Sequence, residues 1–242
     1  MAATLRTHVG KVRKQNEDAA WYDEKRAVFA VADGMGGHQA GEVASAMAID
    51  AVKAMVGAHD VPSISVMREA VLSAHETILE HAETHAECAG MGTTLSVMWR
   101  RDGYMYIAHV GDSRIYRLRG GVLTQITQDH SLVEELVRNG LITRQEARVH
   151  PRRNIITRAL GTQGENTPDL LAADARRGDV WLLCTDGLST MVEDKDIERV
   201  LDRSGLEKAA DQLLRMALKA GGRDNVTLIL YRDEEGEPWN QD

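Results

Sequence analysis

The sequence predicts an α+β protein in which one β-sheet packs on another and helices cover the outside. Three observations carry this. Short apolar runs of strand length fall in two clusters, one early and one late in the chain. A pair of amphipathic helical stretches lies beside each cluster. Two of the apolar runs end in an aspartate followed by a glycine, so they stop in turns rather than continuing as helices.

Residues 5–9 open with a strand. The charged stretch Arg13-Lys14-Gln15-Asn16-Glu17-Asp18 follows as a turn. Trp21-Tyr22 and residues 27–31 form a strand pair, with Asp23-Glu24-Lys25-Arg26 between them. The second strand runs into Asp33 and dissolves into Gly34-Met35-Gly36-Gly37-His38. Residues 42–56 place Val43, Met47, Ala51, Val52 and Met55 at helical spacing. Pro62-Ser63 breaks the chain, and a second helix carries Met67, Ala70, Val71, Ala74, Ile78 and Ala82 on one face.

Strands follow in close succession at 93–99, 104–110, 114–118 and 122–126, which argues for antiparallel pairing. Arg101-Asp102-Gly103 and Gly111-Asp112-Ser113 are the turns between the first three. Residues 127–162 differ from their surroundings. Ser131 with Glu134, and Thr143 with Glu146, match the capping-box pattern, so two short helices are expected, in an insertion expected to be mobile. Strands return at 170–173 and 180–185, helices at 193–201 and 206–220, and a last strand at 226–231. The polar tail 233–242 is expected to fray. With no repeat, linker or low-complexity tract, residues 1–242 read as one domain.

Composition narrows the function. The 242 residues are 43% hydrophobic and 27% charged, as in soluble globular proteins. A formal net charge of −8 argues against broad nucleic-acid binding. Two cysteines, Cys88 and Cys184, suggest no disulfide framework and a reducing compartment. No stretch reaches the ~20 apolar residues of a membrane span, and the start lacks a signal-peptide core. The expectation is a cytoplasmic protein with no membrane anchor.

The chemistry is carried by carboxylates. Asp33, Asp186 and Asp224 sit at strand ends far apart in sequence, each beside glycine or asparagine. Singly, each reads as a turn residue. If the three converge, their repulsion requires a cation, and hard carboxylate oxygens suit Mg²⁺ or Mn²⁺. Neither cysteine has an arginine at the spacing used by thiol phosphatases, since Thr94 and Thr190 stand there. Gly34-Met35-Gly36-Gly37 lacks the Lys-Ser/Thr of a P-loop. Asp194-Lys195-Asp196 opens a helix and reads as helix-start charge. His75, His81 and His85 lie on an amphipathic helix and read as surface or partly buried. His130 reads as the start of an insertion helix.

Seven blocks then point to a family: Arg13-x-x-Asn16-Glu17-Asp18, residues 31–37, Gly92-Thr93-Thr94, Gly111-Asp112-Ser113-Arg114, Asp129-His130-Ser131, Thr185-Asp186-Gly187-Leu188 and Asp224-Asn225-Val226-Thr227. In this order they resemble the type 2C, metal-dependent serine/threonine protein phosphatases of bacteria, over nearly the whole chain. The resemblance implies a β-sandwich of two antiparallel sheets with helices on both outer faces. It implies hydrolysis of phosphoserine and phosphothreonine with two to three Mn²⁺ or Mg²⁺ ions per chain. By motif, Asp33 would bridge two metals, the Gly34 carbonyl would reach one, and Asp186 and Asp224 would complete the other. Asp112 resembles the ligand that shares a third metal with Asp186. Glu17 and Asp18 would hold metal-bound waters, and Arg13 the substrate phosphate. Residues 127–162 occupy the place of the family's flap. In eukaryotic relatives a histidine follows the Asp-Gly pair directly. Met35 stands there in this chain, and His38 is either a loop histidine or a substrate contact and proton donor.

The expected partners are phosphorylated proteins, among them a Ser/Thr kinase that the phosphatase opposes, with the chain a monomer. Two rival readings keep the same residues: a catalytically silent phosphoprotein-binding module, and a small-molecule phosphomonoesterase. Intact Arg13, Asp33, Asp186 and Asp224 argue against the first.

Overall fold

The apolar runs are buried on both faces, and alternation along each strand decides which core a side chain joins. The computed structural model describes residues 2–36, 40–164 and 166–235. Strands β1 (Ala2–His8), β2 (Asp18–Asp23) and β3 (Val28–Met35) come first, then helices α1 (Ala40–Ala58) and α2 (Ile64–Thr84). Next are β4 (Gly92–Thr93), β5 (Leu95–Arg101), β6 (Tyr104–Val110), β7 (Arg114–Arg119) and β8 (Val122–Gln125). The insertion holds α3 (Leu132–Arg138) and α4 (Arg144–Val149). The chain continues through β9 (Asp169–Asp174), β10 (Val180–Cys184), α5 (Asp186–Ser189), α6 (Asp194–Arg203), α7 (Leu206–Lys219) and β11 (Val226–Arg232).

One sheet runs β1-β11-β10-β7-β8; the other runs β2-β3-β5-β6-β9, with β4 added beside β3. Every pairing is antiparallel. Phe29 and Val31 of β3, Trp181 and Leu183 of β10, and Ile229 and Tyr231 of β11 meet between the sheets. Their sequence neighbours face outward: Val28 and Ala30 lie under α1 and α2, and Leu182, Leu228 and Leu230 lie under α6 and α7. The expected sandwich with helices on both outer faces is therefore the observed architecture.

Several local expectations change. β3 does not stop at Asp33 but runs to Met35, because Gly34 and Met35 pair with Thr93 and Gly92. Asp18 is the first residue of β2 rather than the end of a turn. Asp186 opens a short helix that the apolar pattern does not signal. Thr143 and Glu146 form the full capping box, whereas Ser131 only accepts from the Glu134 N–H. The tail does not fray from its first residue: Asp233 is fully buried and accepts from Arg100 Nε at 3.1 Å, and Glu235 accepts from Arg100 Nη1 at 2.9 Å.

Candidate metal centre

The two sheets share an apolar interior that turns polar at one end. Alternation puts Asp33 on the same side of β3 as Phe29 and Val31, and Asp18 on the same side of β2 as Ala20 and Tyr22. Both carboxylates thus continue the inter-sheet face. Asp18 and Asp33 are direct partners in the β2–β3 register. From the opposite sheet, Thr185 Oγ1 donates to Asp18 Oδ2 at 2.9 Å, and Thr227 N–H donates to Thr185 Oγ1 at 3.1 Å.

Asp186 follows β10, Asp224 precedes β11, and Asp112 lies in the turn from β6 to β7. The sequence-predicted aspartates do come together. Burial pushes Asp33 well above the usual carboxylate range, and Asp18, Asp186, Asp112 and Asp224 add repulsion. Asp112 is raised strongly by burial and by Asp186 and Asp129, against the pull of Arg114. Burial and Asp224 raise Asp186 to about 6, with Arg114 and Arg13 opposing. Burial raises Asp18 to about 7, against hydrogen bonds from Thr227 and Thr185.

The residues present suit a hard divalent cation. Asp18 Oδ1 is buried and has no hydrogen-bond partner, an oxygen that needs a cation or an ordered water. The donors around it are carboxylates, the ligand class of Mg²⁺ and Mn²⁺. Among the described residues, no three His, Cys, Asp or Glu side chains are already arranged to hold an ion.

Two glycines let the walls close around this cluster. A Cβ on Gly34 would lie 2.0 Å from the Gly41 carbonyl oxygen, so only glycine lets the start of α1 press against β3. A Cβ on Gly187 would lie 1.8 Å from the Asn225 carbonyl oxygen, at the contact of α5 with the loop before β11.

Arg13 stands at the rim, 48% exposed, with Nη2 donating to Asp224 Oδ2 at 2.8 Å and Nη1 3.8 Å from Glu17 Oε2. Its remaining N–H groups are available to an anion. Burial raises the Glu17 carboxyl, and Arg13 opposes that shift. Both sit in a loop that Asn225 ties down: Nδ2 donates to the carbonyls of Val9 and Gln15, each at 2.9 Å, and Oδ1 accepts from the Glu17 N–H at 2.8 Å.

Sequence reasoning gave Asn225 no task, although it sits in the Asp224 motif. It also missed a bridge between Asp33 and Asp112. The Asp33 N–H donates to Thr94 Oγ1 at 2.9 Å, and Thr94 Oγ1 shares a 2.9 Å hydrogen bond with Ser113 Oγ. The blocks Gly92-Thr93-Thr94 and Gly111-Asp112-Ser113 were the available signal. Beneath Asp112, the Arg114 fork binds both oxygens of Asp129. His130 precedes α3 as expected and also grips the Asp112 turn: its Nδ1 accepts from the Gly111 N–H at 3.1 Å, and its backbone N–H donates to the Gly111 carbonyl at 2.8 Å. His38 lies outside the described residues.

The family model described as protein phosphatase 2C matches residues 8–230. The serine/threonine phosphatase stp of Listeria monocytogenes is 40% identical over 241 residues, covering 95% of each chain. The crystal structure of the Mycobacterium tuberculosis serine/threonine phosphatase PstP/Ppp superposes with a TM-score of 0.89 at 39% identity, covering 97% of this chain and 99% of that one. A structure of the catalytic domain of PstP in complex with two manganese ions gives 0.86 at 38% identity, covering 95% of this chain and 96% of that one.

Proposed function

The chain belongs to the protein phosphatase 2C family, and from that premise we propose that it hydrolyses phosphoserine and phosphothreonine in proteins at the inter-sheet aspartate cluster. Asp33, Asp186 and Asp224, with the Gly34 carbonyl oxygen, would hold two Mn²⁺ or Mg²⁺ ions, and Asp112 with Asp186 would hold a third. Bound there, the cations supply an activated water and neutralise charge on the phosphoryl oxygens.

The chain's own residues do the rest. Arg13 binds the phosphate by its guanidinium fork and orients it over the cluster. Glu17 and Asp18 accept hydrogen bonds from water at the site. His38 contacts the substrate or donates a proton to the leaving oxygen. No cysteine offers a nucleophile: Cys184 is buried with its thiol pushed up to about 12 by that burial, and Cys88 is buried too. The helices of the insertion shape access and add little to the core, since neither α3 nor α4 buries a side chain, whereas Leu160 at the insertion's end joins the core. The substrates are phosphorylated proteins, including a Ser/Thr kinase that this phosphatase opposes, and the protein acts as a cytoplasmic monomer. No helix among the described residues is long and apolar enough to cross a membrane.

The observation that carries this reading is the convergence of Asp18, Asp33, Asp112, Asp186 and Asp224 on one inter-sheet space beside Arg13. Phosphate release from a phosphothreonine peptide in Mn²⁺ tests it, with Asp33→Ala as the inactive control.

A further inference from the structure

A cleft of about 730 Å³ runs from the aspartate cluster between the insertion and the segment joining α5 to α6. Asp112, Asp186 and Asp224 stand at its inner end. Val133 and Val137 of α3 line one wall, and Met191 lines the other. Arg13, which binds Asp224, is not part of the lining.

The charges along this cleft do not balance. Every carboxylate outside the cluster has a partner. Asp129 is bound by the Arg114 fork, and Glu134 pairs with Arg144 at 3.2 Å. Glu193 pairs with Arg148 at 3.4 Å, and Asp194 accepts from the Tyr116 hydroxyl at 3.2 Å. Three cations have no carboxylate partner among the described residues. The Lys195 and Arg223 side chains make no hydrogen bond or ion pair, and Arg153 donates only to the His150 carbonyl. Arg223 is the sequence neighbour of Asp224, so this surplus begins beside the cluster. Arg148 reaches across the cleft to Glu193 and to the Ser189 carbonyl. Its pair with Glu193 is exposed at 42% and 71%, and such pairs are weak enough to be exchanged for a better anion.

We propose that this cleft is a specificity subsite for a second anionic side chain, a carboxylate or a second phosphate, on the same phosphopeptide whose phosphoryl group lies at the cluster. The proposal rests on the phosphatase reading above. An extended peptide advances about 3.3 Å per residue, so the second anion lies a few residues from the scissile phosphate. Lys195 and Arg223 meet it first, and Arg153 and Arg148 complete the cationic wall.

The test compares three phosphothreonine peptides: one with neutral flanks, one with glutamate at the flanking positions, and one with phosphoserine there. Wild type and the double variant Lys195→Gln/Arg223→Gln are assayed in Mn²⁺ at low and high salt, with thermal melts as the folding control. Both positions are exposed, so the double variant keeps its fold. The expected wild-type kcat/KM is about fivefold to tenfold higher for the acidic peptides than for the neutral one, shrinking at high salt. In the double variant that advantage falls to within about twofold. An advantage only for the phosphoserine peptide assigns the cleft to phosphate, and an equal one for glutamate assigns it to anions at large. Equal wild-type rates on neutral and acidic peptides, or an advantage that survives in the double variant, would overturn the subsite while leaving the phosphatase reading intact. Turnover of no phosphopeptide at all would overturn that reading, and the subsite with it.

Discussion

Asp18 and Asp33 stand directly opposite one another on adjacent antiparallel strands, both facing the space between the sheets. Like charges in a cross-strand pair oppose folding. Here the opposition is stronger than at a surface, because Asp186, Asp112 and Asp224 close in from other elements. Thr185 satisfies one oxygen of Asp18 and leaves the other unpaired. An apolar sandwich gains nothing from such a pair, which is why we propose a cation-binding role for the cluster.

Replacing Asp18 with asparagine should expose that trade. The amide keeps the acceptor for Thr185 and turns the orphaned oxygen into a donor toward the neighbouring aspartates. Metal-free Asp18→Asn is expected to be more stable than wild type by about 1 kcal/mol, and its melting temperature should respond less to Mn²⁺. Equal melting curves in chelator, with equal Mn²⁺ responses, would contradict this.

The same cluster sets a pH dependence. Burial raises Asp18 to about 7 and Asp186 to about 6, and lifts Asp33 and Asp112 well above the usual carboxylate range. A carboxyl whose folded pKa lies above its unfolded value holds its proton more tightly when folded. Its contribution is present at low pH and is lost as pH rises through the folded value. His109, pushed down to about 4 by burial, works in the opposite sense, but only below its unfolded value of about 6.5. Metal-free protein should therefore lose stability between about pH 6.5 and 8, and saturating Mn²⁺ should flatten that slope by replacing the protons. Thermal melts in chelator that rise across this window would contradict it.

Much of this was legible in the sequence because both faces of each central strand are buried. Runs such as Val180-Trp181-Leu182-Leu183-Cys184 announce strands whichever face is the interior. The aspartates were legible as breaks in those runs. Register was not, because it depends on partners far away in sequence. Gly34 reads locally as the end of a strand, yet β3 continues through it because Thr93 lies alongside and a side chain would strike Gly41. The pairing of Asp18 with Asp33, the clamp made by Asn225 and the Thr94–Ser113 bridge are tertiary facts of the same kind. Asp233 reads as a polar tail until Arg100 is seen buried against it.

Arg13 links the rim to the cluster through Asp224. Arg13→Ala should lower kcat/KM for a phosphopeptide by about tenfold or more, with KM rising and kcat falling if the fork also aligns the phosphoryl group. Arg13→Lys should recover only part, since an ammonium cannot form the fork. Unchanged kinetics in both variants would make Arg13 a structural partner of Asp224.

Asp112 can be a turn former or a ligand, and asparagine separates the two. Asp112→Asn keeps the local hydrogen bonding of the turn and removes the charge. As a ligand, its loss should lower kcat by about tenfold or more while KM for a phosphopeptide stays within about twofold, the pattern of an interaction made mainly in the transition state. A near-normal kcat in folded Asp112→Asn would return this residue to the turn.

We propose the inter-sheet aspartates as a catalytic metal site. The most direct measurement is the rate of phosphate release from a phosphothreonine peptide against free Mn²⁺, starting from chelator-stripped protein. Activity should be absent in excess chelator and should return with Mn²⁺. Asp33→Ala, Asp186→Ala and Asp224→Ala should each lower kcat by about a hundredfold or more in folded protein. Full activity in excess chelator, or wild-type turnover in the three variants, would contradict a catalytic metal site there.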